Sequence, residues 1–88
     1  MSFEWYECIK RIINNLKAAG YIEFSEQVHD RQLSGAVSSE ILMAVGSKLL
    51  DIKLGDSNAY NIIRTDSESL IQFSNSIGLF PRPTNFSF

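Results

Sequence analysis

The chain has 88 residues, which is enough for one domain and too few for two. Its composition, 44% hydrophobic and 20% charged, excludes the low hydrophobicity and high net charge of a disordered chain. The net charge of −2 comes from scattered side chains without a run of Lys or Arg, which argues against nucleic-acid binding.

The first predicted element is an amphipathic helix over residues 2–19. Its apolar side chains recur at a spacing of 3.6 residues and would share one face: Trp5, Cys8, Ile9, Ile12, Leu16 and Ala19. Polar residues fill the other face, and Glu4, Glu7 and Lys17 have the signs that suit the helix dipole.

Glycines mark the ends of the predicted helices. Each of four glycines follows an apolar-periodic segment, where a left-handed residue commonly ends a helix: Gly20, Gly35, Gly55 and Gly78. Tyr21 and Leu79 supply the apolar residue that a Schellman ending requires after two of them. The resulting prediction is an all-α four-helix bundle with helices at about 2–19, 21–33, 38–54 and 57–77.

The third predicted helix, with Ser38 as its N-cap, is apolar on two sides. One stripe would hold Ile41, Val45, Leu49 and Ile52. A second stripe, nearly opposite, would hold Met43, Leu50 and Leu54, and Gly46 would lie between the two stripes. Such a helix either lies at the centre of its fold or packs one of its two apolar sides against another chain. The glycine would allow a second helix to approach closely.

The fourth segment allows two interpretations. Thr65-Asp66-Ser67-Glu68 has the pattern of a capping box and would start a new helix near residue 66. Ala59, Ile62 and Ile63 are nevertheless in helical phase with Leu70, Phe73 and Ile77, which favours one long helix over 57–77.

An extended aromatic tail, residues 80–88, follows the single helical domain of residues 1–79. Pro81 and Pro83 prevent a helix there. Phe80, Phe86 and Phe88 would either fold back over the open end of the bundle or form a docking peptide.

No catalytic or metal-binding constellation is visible in the sequence. His29, the sole histidine, has Ser25 one turn before it, but no oxyanion hole accompanies them, so a half-buried structural histidine is favoured. Cys8 lies on the apolar face and is expected to be buried and inert, although a Cys8–His29 pair remains open. One Cys and one His cannot form a structural zinc site, and Glu26-x-x-His29 matches a di-iron spacing once only. The glycines are too far apart for a phosphate loop, so we predict no cofactor.

The location is predicted to be cytoplasmic. A single cysteine cannot form an internal disulfide, and the first five residues lack the pattern of a signal peptide. No stretch of eighteen apolar residues exists, so no membrane partner is expected.

The segment Ser34-Gly35-Ala36-Val37-Ser38-Ser39-Glu40-Ile41-Leu42-Met43-Ala44 resembles a pattern in a set of small, uncharacterised bacterial helical proteins. The resemblance covers about residues 5–54, and Ala36 and Val37 depart from the more polar turn of that set. It implies a bacterial accessory or immunity-type protein and supplies no catalytic residues.

These observations predict a non-enzymatic domain that binds another protein, as an immunity or antitoxin-type protein or a regulatory accessory. Trp5 and Tyr6 join the candidate interface because aromatic residues are favoured there, and the full set is Met43, Gly46, Leu50, Leu54, Trp5, Tyr6, Phe86 and Phe88. The alternatives are a small-molecule-binding or minor enzymatic module with a cleft near Cys8 and His29, and a structural homodimer.

Overall fold

The computed structural model describes residues 3–84, which form four helices and no strand. The helices are α1 (Trp5–Ala18), α2 (Ile22–Ser34), α3 (Ser38–Gly55) and α4 (Ser57–Ser76). The predicted all-α four-helix bundle is therefore confirmed, and the observed ends lie within three residues of the predicted ones.

The helices are arranged in a ring in which each packs against its neighbours in the chain and α4 closes against α1. The order of contacts along α1 and α4 shows that they are antiparallel, since Phe3 meets the Phe73 ring and Arg11 meets Asp66. The other neighbours are antiparallel as well, because their connections are only one to three residues long.

The core lies along the axis of this ring and takes residues from every helix. The four helices contribute unequal shares, with the smallest from α2: Cys8, Ile9, Ile12, Leu16, Val28, Leu42, Val45, Leu49, Ile52, Ala59, Tyr60, Ile63 and Leu70. The predicted apolar face of the first helix and one stripe of the third are thus the buried ones.

Helix α4 is continuous through the segment that resembles a capping box. Its N-cap is Asp56, whose carboxylate accepts a hydrogen bond from the Ala59 N–H at 3.0 Å. Asp66 pairs with Arg11 across the bundle and Ser67 is buried. A helix start near residue 66 is therefore wrong, and the single helix is confirmed.

Two of the four predicted glycine endings are confirmed. Gly20 and Gly78 have φ values of +92° and +86°. After each, the next residue donates its N–H to a carbonyl five residues back: Tyr21 to Leu16 and Leu79 to Ser74, both at 2.8 Å. These are Schellman endings, and glycine is favoured there because it lacks the Cβ that strains this backbone.

The left-handed backbone predicted at Gly35 and Gly55 is wrong, as is the N-cap predicted at Ser38, although α2 and α3 do end at these two glycines. Gly35 has an extended backbone, and a Cβ there would lie 2.7 Å from the Ile41 N, so close packing rather than handedness requires glycine. Gly55 is the last residue of α3 and has no left-handed backbone. Ser38 is already helical after the N-cap Val37, and Glu40 accepts the Ala36 N–H at 2.8 Å.

The described part of the tail, residues 80–84, runs over α3. Pro81 is buried against Gly46, where a Cβ would come 2.5 Å from the Pro81 Cγ. Farther on, Thr84 donates its N–H to the Asp51 carboxylate at 2.7 Å and its hydroxyl accepts from Arg31 at 3.0 Å. We call Arg31, Asp51 and Thr84 the tail latch. Because it ties the tail to both α2 and α3, this part of the tail is fixed on the bundle.

Candidate functional site

Cys8 lies in the core and faces α4. Its Sγ donates to the Asp66 carbonyl oxygen at 3.2 Å, and its side chain has no exposed area. Burial, and next the Asp66 charge, raises the pKa of the Cys8 thiol to about 11, against the opposing effect of Arg11. A thiol with this pKa is a poor nucleophile at neutral pH.

His29 is exposed on α2 rather than half-buried, so that expectation is wrong. It lines a groove between α1 and α2, whereas Cys8 contacts α4. Ser25 is buried and donates its hydroxyl to the Ile22 carbonyl at 2.7 Å. The structure therefore separates His29 from Cys8, and Ser25, which lines the same hollow as His29, donates its hydroxyl to the helix backbone rather than to His29.

The groove beside His29 contains a cleft of about 280 Å³, which we call the α1–α2 cleft. It lies between the first half of α1 and the second half of α2, and its lining is Tyr6, Lys10, Ile13, Asn14, His29 and Gln32. A second hollow of about 210 Å³ continues along the groove and shares Ile13 and His29 with it. The cleft predicted near Cys8 and His29 thus exists beside His29 and excludes Cys8.

Within residues 3–84, no three His, Cys, Asp or Glu side chains are grouped as metal ligands would be. The helices of the same range include none long and apolar enough to cross a membrane.

The predicted interface on the third helix is divided by the structure. Gly46 is buried under Pro81 of the same chain, so its close approach is made by the tail. Leu50 is half-buried, while Met43 is 38% exposed and Leu54 is 74% exposed. Met43 and Leu54 lie on the same side of α3 about three turns apart, and the covered Gly46 and half-buried Leu50 between them interrupt the exposed surface.

The aromatic residues of the predicted interface have different environments. The Trp5 and Tyr6 rings contact each other with centroids 5.0 Å apart; Trp5 is half-buried and Tyr6 is 59% exposed. Phe86 and Phe88 lie outside the described residues. Phe80, which was expected to cover the bundle or to dock elsewhere, is 62% exposed.

Exposed apolar side chains gather at the end of the bundle where α2 and α4 finish and α3 begins. We call this set the apolar end: Leu33, Val37, Met43, Ile77 and Phe80. Sequence reasoning did not select Leu33 and Ile77, because they extend helical stripes that otherwise enter the core, nor Val37, which lies in the connection between α2 and α3. The signal that could have found them is the antiparallel order, which brings these helix ends together.

No protein-family model, curated protein or solved structure matches the chain. The resemblance to small bacterial helical proteins therefore stays a prediction.

Proposed function

We propose that this chain is a non-enzymatic domain that binds another protein through its apolar end. The observation that carries the proposal is the clustering of exposed apolar side chains there. Of the nine large apolar residues that are exposed among residues 3–84, five belong to the apolar end. Several exposed large apolar side chains at one end of a small domain are a feature of interaction sites.

The exposure of these side chains is large. Leu33 is 68% exposed and Phe80 is 62% exposed. Both are anchored by buried residues nearby in the chain, Val28 in α2 and Pro81 in the tail. Covering such side chains would yield about 25 cal/mol for each Å² of apolar area removed from water. An aromatic anchor near the centre of an interface commonly supplies a large share of its affinity.

Near the apolar end, four exposed acidic side chains outnumber the two exposed basic ones, Lys10 and Arg82, which favours a basic partner. Glu4, Glu7, Asp30 and Glu40 are exposed and lie within about one or two helical turns of this end. Complementary charge accelerates association and excludes wrong partners. We therefore infer a partner with an apolar patch and a basic rim.

The candidate catalytic residues support binding rather than chemistry. The buried Cys8 has a raised pKa, and the Ser25 hydroxyl one turn from His29 is bonded to the Ile22 carbonyl instead. Cys8 is unpaired, as expected of a protein in a reducing compartment, which supports the proposal of a cytoplasmic location. An accessory role of the immunity or antitoxin kind would be a form of this binding.

The test uses two leucines of similar exposure at opposite ends of the bundle. Wild-type protein, Leu33→Glu and Leu54→Glu are immobilised and exposed to lysate of the native host, and captured proteins are identified by mass spectrometry. We expect a basic protein that is retained by wild type and by Leu54→Glu and lost with Leu33→Glu. Its binding should weaken as salt rises, because the rim contacts are electrostatic.

Light scattering on the same three proteins distinguishes a second copy from a different partner. A doubled mass that Leu33→Glu abolishes would identify the homodimer as the occupant of the apolar end. Capture that is unchanged by Leu33→Glu, or no capture together with a monomeric mass, would contradict the proposal. Circular dichroism checks that each variant remains helical.

A further inference from the structure

The α1–α2 cleft lies between α1 and α2 and shares no lining residue with the apolar end, although Gln32 is the chain neighbour of Leu33. Its walls are regular helix on both sides, so its shape is set by the packing of α1 against α2. Lys10 and Asn14 are four residues apart on α1, and His29 and Gln32 are three apart on α2. Residues at these spacings lie on one face of a helix, so each helix presents a pair of polar groups to the cleft.

The lining of the cleft combines hydrogen-bond donors with two apolar side chains. Lys10 supplies a positive charge, while Asn14, Gln32 and His29 each offer N–H groups. Ile13 and the Tyr6 ring provide the apolar surface. No carboxylate belongs to the lining among the described residues, although the whole chain carries a net charge of −2.

These donors are unengaged within the described range. Between residues 3 and 84, neither Lys10 nor His29 forms an ion pair or a hydrogen bond through its side chain. By contrast, a third hollow, of about 360 Å³ near the start of α2, includes Asp56, whose carboxylate already caps α4. The α1–α2 cleft therefore combines free donors, the positive charge of Lys10 and an adjoining apolar surface on Ile13 and Tyr6.

We propose that the α1–α2 cleft binds a small organic anion with a flat apolar body, of the aryl carboxylate class. The Lys10 ammonium and the amides would hold the carboxylate, and the ring would lie against Ile13 and Tyr6. A volume of about 280 Å³ suits a ligand of one ring. Sites for small ligands commonly combine an apolar lining with a few such convergent polar groups.

The experiment is a titration of the ¹⁵N-labelled full chain with benzoate, followed by amide chemical shifts. We expect saturable shifts centred on Ile13 and His29, with a dissociation constant of about 1 mM, which is reasonable for so small a ligand. Benzamide, which has the same shape without the charge, and acetate, which lacks the ring, should each bind about tenfold more weakly.

Variants at exposed lysines assign the binding to the cleft. Lys10→Gln should weaken benzoate binding about tenfold, and Lys10→Arg should retain most of it because the charge is kept. The matched control is Lys53→Gln, since Lys53 is an exposed lysine placed over the Tyr60 ring away from the cleft.

Three results would overturn the proposal: no saturable shifts, equal affinity for benzamide, or the same loss with Lys53→Gln as with Lys10→Gln. Because Lys10 lies outside the apolar end, these results would leave the proposed protein-binding function untouched. Loss of partner capture with Leu33→Glu would in turn leave this titration unaffected.

Discussion

At the scale of single residues, the environment of Cys8 predicts a dependence of stability on pH. Its pKa is about 11 in the folded chain, against 9.0 for an ordinary thiol, chiefly because burial disfavours the thiolate. The stabilisation is thus fully present below pH 9 and is lost as the pH rises toward 11. Between about pH 8 and about pH 10.5, wild type should lose roughly 2 kcal/mol more unfolding free energy than Cys8→Ala.

Urea denaturation of both proteins across this pH range measures the difference, and the variant cancels the effects of lysine and tyrosine titration. Asp66→Asn should reduce the loss, since the Asp66 charge is the second cause of the raised pKa. Parallel pH profiles for wild type and Cys8→Ala would contradict the explanation by burial.

At the scale of elements, two glycines of α3 should respond oppositely to the same substitution. A Cβ at Gly55 would meet nothing within 4 Å, so Gly55→Ala should raise the unfolding free energy by about 0.5–1 kcal/mol. A Cβ at Gly46 would lie 2.5 Å from the Pro81 ring. Gly46→Ala should therefore displace the tail and lower the unfolding free energy by about 1 kcal/mol.

Urea denaturation gives the two free energies, and hydrogen exchange reports the tail directly. The Thr84 N–H donates to Asp51 in the native chain, so Gly46→Ala should accelerate its exchange while Gly55→Ala leaves it unchanged. Equal stabilisation by both substitutions would contradict this explanation, because it would show that the packing of Pro81 on α3 does not require a glycine at position 46.

The elements also show what sequence could and could not predict. Local patterns located all four helices, and the apolar residues after Gly20 and Gly78 identified two endings correctly. Gly35 and Gly46 serve close contacts with other segments, which no local pattern encodes. The tail latch likewise joins residues far apart in the chain, and the apolar end and the cleft depend on how the helices are placed.

At the scale of the whole molecule, the small size of the chain explains why apolar side chains stay exposed at both ends of the bundle. A chain of this length buries about 60–65% of its unfolded surface. Some apolar residues at the helix ends therefore stay exposed to solvent. The ring of four helices closes the core around Leu49 and Leu70, while Leu33 and Leu54 extend past it. Association through such residues would cover surface that the fold alone cannot.

Truncation of a leucine to alanine should therefore lower the unfolding free energy much more inside the ring of helices than outside it. Leu70 has no exposed area, so Leu70→Ala should cost about 3 kcal/mol through lost burial and a residual cavity. Leu54 is 74% exposed, so Leu54→Ala should change stability by less than about 0.5 kcal/mol. Urea denaturation measures both, and an unchanged slope would show that the unfolded state is not altered. A large cost for Leu54→Ala that grows with protein concentration would contradict this picture, because it would mean that a second copy of the chain covers that end of the bundle.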